Sequence, residues 1–235
     1  MSAMKTRSQE RTFVLLALLS LLALPAGAQV AITGKAGTLG IGAELSLGLT
    51  PQLDGRLGVN GFSYSDPNRE ASNIEYDADA RLRTATALLD WHPGGRGFRL
   101  TGGAVWNGTR VDGHSRPSAS GTYEIGGVQV PVAIVQRLDA RADFNPVAPY
   151  AGLGWGNPIR SARRAGFALD LGVIFQGRAD VKLTPVIPQS SPINTTPGAR
   201  EALDILLSRE EQDLEDEASD YDLYPVVSLG FWYRF

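Results

Sequence analysis

The chain has two histidines and no cysteine, which limits the chemistry that its side chains can perform. His114 is followed directly by Ser115, two residue types that cooperate in nucleophilic catalysis. Adjacency in sequence is weak evidence, because the imidazole must reach the hydroxyl in space and must be oriented by a third group. His92 follows Trp91 in a predicted tight turn, where a place among boundary aromatic side chains is the simpler interpretation. We therefore predict no catalytic residue, no cofactor and no transition-metal site.

Acidic side chains are concentrated in residues 210–222. Carboxylate oxygens suit Ca²⁺ and Mg²⁺, but these residues lack the spaced ligands and central glycine of a dedicated calcium loop. Leucines recur in the same region at helical spacing, at Leu203, Leu206, Leu207 and Leu214. Residues 198–219 are therefore predicted to form one short amphipathic helix with a solvated acidic face.

Apolar and polar side chains alternate along most of the chain, and this period of two indicates β-strands. In residues 74–83 and 138–144 the polar face carries charges of both signs. A closed barrel in a lipid bilayer shows this pattern, because its apolar side chains face outward and its polar side chains face the lumen. We therefore predict an all-β fold, a closed antiparallel transmembrane up-and-down β-barrel that occupies residues 29–235 as a single domain.

On this interpretation a set of charged side chains faces the lumen. The set consists of Glu44, Arg56, Asp77, Asp79, Arg81, Arg83, Arg99, Asp139, Arg141, Asp143 and Asp170. The lumen of a barrel of eight to ten strands is narrow, and an isolated buried charge is costly, so these charges must pair. A salt-bridged plug is predicted in preference to a small polar channel whose selectivity the charges would set.

Ten strands are predicted, because an even number closes an antiparallel barrel. They cover residues 30–33, 39–49, 57–64, 74–83, 98–106, 138–144, 150–155, 167–175, 181–186 and a terminal strand that ends at Phe235. If the short first strand does not form, or if residues 181–186 do not pair in the barrel, an eight-stranded barrel is the alternative.

The predicted connections are of two kinds. Tight turns at residues 50–54, 92–96, 145–149 and 176–178 alternate with long connections at residues 65–73, 108–131, 157–164 and 188–221, and a short turn at residues 34–37 joins the first two strands. Such alternation is typical of membrane barrels, in which the long connections all lie on the external side. The long connections include a predicted hairpin over residues 123–130 and the helix, whose apolar stripe could lie over the barrel mouth.

Both ends of the chain carry targeting features. Residues 1–28 combine basic residues, an apolar run of about 12 residues and a small-residue cleavage site, as in a secretory signal peptide. At the other end, apolar and aromatic side chains occupy alternate positions: Leu229, Phe231, Tyr233 and Phe235. This ending resembles the C-terminal assembly signal of Gram-negative outer-membrane barrels. The whole chain resembles a small protein of that class, with girdle candidates Tyr76, Trp91, Trp106, Trp155, Phe231 and Tyr233.

The resemblance implies delivery by periplasmic chaperones, insertion by the barrel-assembly machinery and contact with outer-membrane lipid and lipopolysaccharide. It places the C-terminus in the periplasm and implies no substrate. A structural or surface-interaction role is the favoured prediction, a narrow porin-like pore or carrier for small solutes is the alternative, and a lipid-modifying hydrolase is a distant third. The formal charge of −3 gives no support for nucleic-acid binding.

Overall fold

The computed structural model describes residues 29–71, 74–94, 97–116, 121–219 and 222–235. Side chains are described over the same ranges except for residues 64–80 and residue 116. The predicted signal peptide, residues 1–28, lies outside the described residues, so its cleavage remains a prediction. Among the described helices, none is both long and apolar enough to cross a bilayer.

Eight antiparallel strands form a closed barrel. They are β1 (Val30–Gly37), β2 (Gly40–Thr50), β3 (Leu53–Ala71), β4 (Ile74–Trp91), β5 (Phe98–Asn107), β10 (Val147–Trp155), β11 (Ala165–Phe175) and β13 (Leu223–Arg234). Consecutive strands pair from β1 to β5, after which β5 pairs with β10, β10 with β11 and β11 with β13. The pairing of β1 with β13 sets Ala31 opposite Arg234 and closes the cylinder. The interior of an eight-stranded barrel is just wide enough to be filled by side chains.

The two rims of the barrel differ. We define the lower rim as the end that holds the turn between β2 and β3, the connection between β4 and β5, and residues 156–164 between β10 and β11. The upper rim is the opposite end, where β1 turns into β2 at Thr38 and Leu39. Two long excursions leave the barrel at the upper rim, one between β5 and β10 and one between β11 and β13. Together they form a folded unit that we call the cap.

The cap continues the barrel wall upward. The lower part of β4 pairs with β5, whereas its upper part pairs with β6 (Arg110–Arg116). β6 then pairs with β9 (Arg137–Asp143), and β9 pairs with β12 (Asp180–Val186). The other cap elements are the hairpin of β7 (Thr122–Ile125) and β8 (Val128–Pro131), a 3-10 helix (Pro192–Asn194) and helix α1 (Ala199–Ala218).

An apolar core holds the cap together. Leu138 of β9 and Leu183 of β12 pack in it with Ile125 of the hairpin and with Leu203 and Leu207 of α1. Leu138 and Ile125 have no exposed surface. Full burial of an aliphatic side chain of this size contributes about 1.5–3 kcal/mol. The cap is therefore a packed unit with its own core, not a group of separate loops.

The predicted hairpin and helix are both present. Gly126 and Gly127 form the hairpin turn with φ angles of 56° and 77°, which favour glycine. A Cβ atom on Gly126 would lie 2.9 Å from the carbonyl oxygen of Leu206, so the absence of a side chain lets the turn rest on α1. The apolar stripe of α1 packs into the cap core, whereas the sequence suggests a position over the barrel mouth. Its last residue, Ala218, does reach the space above the upper rim.

Carboxylates of α1 cap the outer edge of the cap sheet. The backbone N–H groups of Val181 and Leu183 donate to the side chains of Glu215 and Glu211, at 3.1 and 2.8 Å. Glu210, which is 2% exposed, accepts a hydrogen bond from the backbone of the hairpin turn. An uncovered edge strand can pair with another chain. Part of the acidic run is therefore structural, in addition to its solvated face.

Ten barrel strands are not confirmed. All ten predicted segments form strands, but residues 138–144 and 181–186 belong to the cap sheet. The first strand is longer than predicted, and its turn lies at Thr38 and Leu39 instead of residues 34–37. Residues 65–71 extend β3 upward instead of forming a loop.

Because two predicted strands do not cross the barrel, some connections lie at the opposite rim from the one predicted. Residues 157–164 lie at the lower rim, and residues 145–149 and 176–178 lie at the upper rim. The prediction has each of these on the opposite side. The physical reason is that β9 and β12 pair outside the barrel, so neither of them carries the chain from one rim to the other.

Candidate functional site

Six charged side chains meet inside the barrel. They are Lys35 of β1, Glu44 of β2, Arg56 of β3, Asp90 of β4, Arg99 of β5 and Asp170 of β11, and we call them the lumen network. Strand alternation explains their position. Asp90, for example, is buried between Leu89 and Trp91, whose side chains are 50% and 49% exposed on the outer face.

Arg56 is the centre of the lumen network. Its guanidinium contacts three carboxylates, namely Glu44 at 3.0 Å, Asp90 at 2.7 Å and Asp170 at 3.1 Å. The contact with Asp90 is an ion pair whose Nε–H group does not point along a hydrogen bond. All four side chains have less than a tenth of their surface exposed. Arg56 therefore connects its own strand, β3, with its neighbours β2 and β4 and with β11 across the interior.

Two further cations complete the lumen network. Nη2 of Arg99 donates to Oδ1 of Asp170 at 2.7 Å, and Nη1 donates to a backbone carbonyl at the lower rim. Lys35 donates to Oε1 of Glu44. A Cβ atom on Gly154 would lie 2.9 Å from the guanidinium carbon of Arg99, so glycine at this position makes room for the network.

The lumen network is electrically balanced and nearly fills its layer. Its three cations face three carboxylates, so no buried charge is left in excess. The cavity beside it has a volume of ≈ 10 Å³. About this volume is needed for one water molecule. The described side chains of the lumen network therefore leave little room for water in the cavity beside them.

A second polar cluster fills the lower rim. Nε2 of His92 lies 2.9 Å from Asp54, and Nη1 of Arg160 lies 2.8 Å from the same carboxylate. Residues 156–164 fold across the barrel end, which buries Asn157 and Ile159 beside this cluster. His92 is 1% exposed, so it is a buried plug residue and not a boundary residue as the sequence suggests.

An apolar layer covers the lumen network on the side of the upper rim. Leu88, Val105, Tyr150, Ile174 and Val226 are all buried and pack against one another there. The interior of the barrel thus has three layers, which are polar at the lower rim, ionic in the middle and apolar towards the upper rim. Hydrated ions would have to cross all three.

Four of the predicted lumen charges lie in the lumen network: Glu44, Arg56, Arg99 and Asp170. Arg81 and Arg83 do not. They are exposed on the outer face of β4, while Thr84 and Thr86 on the alternate positions are buried inside. Asp77 and Asp79 lie outside the described side chains, although their backbone pairs with β6 in the cap.

The remaining predicted lumen charges lie on the outer surface of the cap sheet. They form cross-strand contacts between β6 and β9. Two are ion pairs, Arg110 with Asp143 at 3.2 Å and Asp112 with Arg141 at 3.1 Å, and the third is a hydrogen bond between His114 and Asp139 at 2.8 Å. Partial burial raises the pKa of the Asp139 carboxyl, but hydrogen bonds from Arg137 and His114 outweigh it and hold this pKa below its usual value. Exposed pairs of this kind contribute about 0–1 kcal/mol each.

Two members of the lumen network are absent from the predicted set. Lys35 is assigned to a turn in the sequence interpretation, although it lies within β1. Asp90 lies below the predicted end of its strand, although Thr84, Thr86 and Asp90 alternate with apolar residues and could have revealed it. Thr101 also faces the lumen, and its hydroxyl donates a hydrogen bond to Asp90 at 2.6 Å.

The structure does not bring His114 and Ser115 together. His114 has half of its side chain exposed, and its Nδ1 contacts Asp139. Ser115 is buried on the opposite face of β6, where its Oγ accepts a hydrogen bond from the N–H group of Leu138. A general base must lie within hydrogen-bond reach of the hydroxyl. Across the described residues, no group of three or more metal-ligating side chains is assembled for an ion.

The outer face of the barrel is apolar. Trp91, Trp106, Trp155, Phe231 and Tyr233, predicted as girdle residues, are 43–52% exposed. Aromatic rings contact each other near the lower rim, between Phe98 and Trp155, Phe167 and Phe231, and Tyr233 and Phe235. Tyr76 lies outside the described side chains.

Comparisons with known proteins show the fold. No protein family and no curated protein matches the chain. Among solved structures, CarO2 of Acinetobacter baumannii has a TM-score of 0.53 at 19% identity, and the match covers 89% of this chain and 100% of that chain. CarO of the same organism has a TM-score of 0.51 at 18% identity, and the match covers 88% of this chain and 98% of that chain. At these identities the similarity shows a shared all-β closed barrel and does not extend to function.

Proposed function

We propose that this chain is an outer-membrane protein whose sealed barrel anchors a folded cap at the cell surface. The single observation that carries the proposal is the balanced lumen network, which fills the middle layer of the barrel and leaves only ≈ 10 Å³ beside it. A barrel of this kind serves as an anchor or a contact surface. We therefore favour a structural or surface-interaction role over the alternative role of a narrow pore.

The outer face supports a membrane setting. Outward residues of β13 run from Leu223 to Tyr233 without a charged side chain. At the rise and tilt of a membrane strand this stretch covers roughly 25 Å, the height of the apolar band of outer-membrane barrels. Arg83 is exposed two residues above Ala85, which pairs with Trp106 at the level where such a band would end.

The terminal strand supports the route of assembly. Leu229, Phe231, Tyr233 and Phe235 are 43–79% exposed along one outer face, while Trp232 between them is buried in the lumen. An exposed apolar and aromatic face of this type suits recognition by the barrel-assembly machinery, after transport by periplasmic chaperones. In this orientation the lower rim faces the periplasm, and the cap meets lipopolysaccharide or an extracellular partner.

Epitope insertion tests the orientation. A tag placed after Gly127, in the exposed turn of the cap hairpin, is expected to bind antibody on intact cells. A matched tag after Arg163, in the exposed part of the lower-rim connection, is expected to bind only after the cells are permeabilised. If antibody bound the Arg163 tag on intact cells and did not bind the Gly127 tag, the orientation in the membrane would be the opposite of the one proposed. If both tags bound antibody equally and only after permeabilisation, the cap would not be at the cell surface and the proposed location would be wrong.

A further inference from the structure

A cavity of ≈ 330 Å³ lies between the upper rim of the barrel and the base of the cap. Its floor is formed by Leu39, Leu82, Ile174 and Tyr224 of the barrel wall. Leu39 and Ile174 also belong to the apolar layer above the lumen network, so the cavity stands on a packed apolar base. It is separate from the small cavity beside the lumen network.

The roof and sides of the cavity come from the cap. Val111 of β6, Ala142 of β9, Phe144, Ala179 and Ala218 contribute apolar surface there. Neither the floor nor the roof, nor any other described residue that lines the cavity, carries a charged side chain. The cavity therefore favours an uncharged, apolar ligand, because a buried ion without a partner would be costly.

Three polar residues of the wall take part in hydrogen bonds. Nδ2 of Asn107 donates to Oε1 of Gln176 at 3.3 Å, and Oδ1 of Asn107 accepts from the N–H group of Thr109 at 3.0 Å. The hydroxyl of Thr84 accepts from Asn60 at 3.1 Å. These partners leave the wall with a mainly apolar surface, which suits hydrocarbon better than a polar solute.

The size and height of the cavity narrow the ligand class. Protein interiors contain few voids larger than a water molecule. An apolar cavity of about 150 Å³ already binds benzene, so this one would accept roughly ten carbons of a single chain. Trp106 and Phe175, next to the lining residues Asn107 and Ile174, are exposed on the outer apolar face. The cavity therefore lies level with the upper end of the apolar band.

We infer that this cavity is a binding site for one hydrocarbon chain, from a fatty acid or from the acyl part of a membrane lipid. The inference goes beyond the proposed anchoring role and does not depend on whether the lumen conducts. Ala218 at the end of α1 allows the cavity to be reduced without touching the lumen network. Ala202 on the same helix is exposed and provides a matched control.

Equilibrium dialysis of radiolabelled dodecanoic acid against the full chain in lipid nanodiscs tests the inference, with protein-free nanodiscs as the background. Wild type and Ala202→Trp are expected to bind about one molecule saturably, and Ala218→Trp is expected to weaken binding about tenfold or more. Ala142→Leu, from β9, is a second and milder reduction of the cavity. The folded state of each variant is checked by its gel migration without heating.

A phospholipid with a photoreactive acyl chain separates the two sources of the ligand. Labelling of cap peptides by this probe without saturable binding of dodecanoic acid would identify a membrane lipid as the occupant, and binding of both probes would include free fatty acid. Binding unchanged in both Ala218→Trp and Ala142→Leu would overturn the inference. It would also be overturned if neither probe bound the folded wild type above background.

Discussion

Replacing Arg56 by methionine is expected to lower the free energy of unfolding by about 3–5 kcal/mol. The substitution removes the cation that contacts Glu44, Asp90 and Asp170, while the three carboxylates stay buried with Lys35 and Arg99 alone. One negative charge is then left in excess beside a cavity that has room for about one water molecule. Urea unfolding of the protein in phospholipid vesicles, followed by tryptophan fluorescence, measures the loss.

Arg81→Met is the matched control for this substitution. Arg81 lies on the exposed face of β4, and we expect a change within about 0.5 kcal/mol. Adding Asp170→Asn to Arg56→Met is expected to recover part of the loss, because it removes the excess charge. A double-mutant cycle on the two positions then gives a coupling energy that differs from zero. Equal stability of Arg56→Met and Arg81→Met would contradict the ion-paired lumen.

Replacing Leu207 by alanine is expected to destabilise the cap by about 2–5 kcal/mol, the range for large-to-small substitutions in a packed core. Leu207 is 5% exposed and contacts the core formed by the cap strands and the hairpin. Because the barrel closes through its own eight strands, the loss is confined to the cap as local unfolding. Limited proteolysis should cut the cap faster, while the barrel fragment remains protected.

Ile205→Ala on the same helix is the control for the cap. Ile205 is 56% exposed, so its truncation is expected to leave the proteolysis rate near that of wild type. If Leu207→Ala and Ile205→Ala are cleaved at equal rates, α1 does not pack in the cap as described. Hydrogen exchange of the amides of Val181 and Leu183 provides a second readout, because the carboxylates of α1 cap them.

The fold class could be predicted from the sequence because strand alternation and the aromatic terminal strand are local patterns. The predicted segments all form strands, and the helix and the hairpin are present where the residues place them. The strand count could not be predicted with the same certainty. Whether a strand pairs within the barrel or beyond its rim depends on long-range contacts, such as those that join β9 to β6 and β12.

The candidate site could be predicted only where the strands lie in the apolar band. There, Arg56 and Asp170 face inward, because in the proposed membrane position the residues next to them in sequence face lipid. Above the upper rim the preference inverts, because the cap core is apolar and its outer surface meets water. Asp139 and Arg141 therefore point away from the interior, although their alternation looks the same in sequence. Alternation identifies the two faces of a strand but not which one is buried.

The central claim is that the lumen is sealed, and conductance of the purified protein in planar lipid bilayers tests it most directly. We predict that wild type shows no stable channel openings, and that Arg81→Met and Asp139→Asn, both outside the lumen, behave the same. Stable openings in wild type whose ion selectivity shifts in Arg56→Met or Asp170→Asn would contradict the sealed barrel and establish a narrow pore.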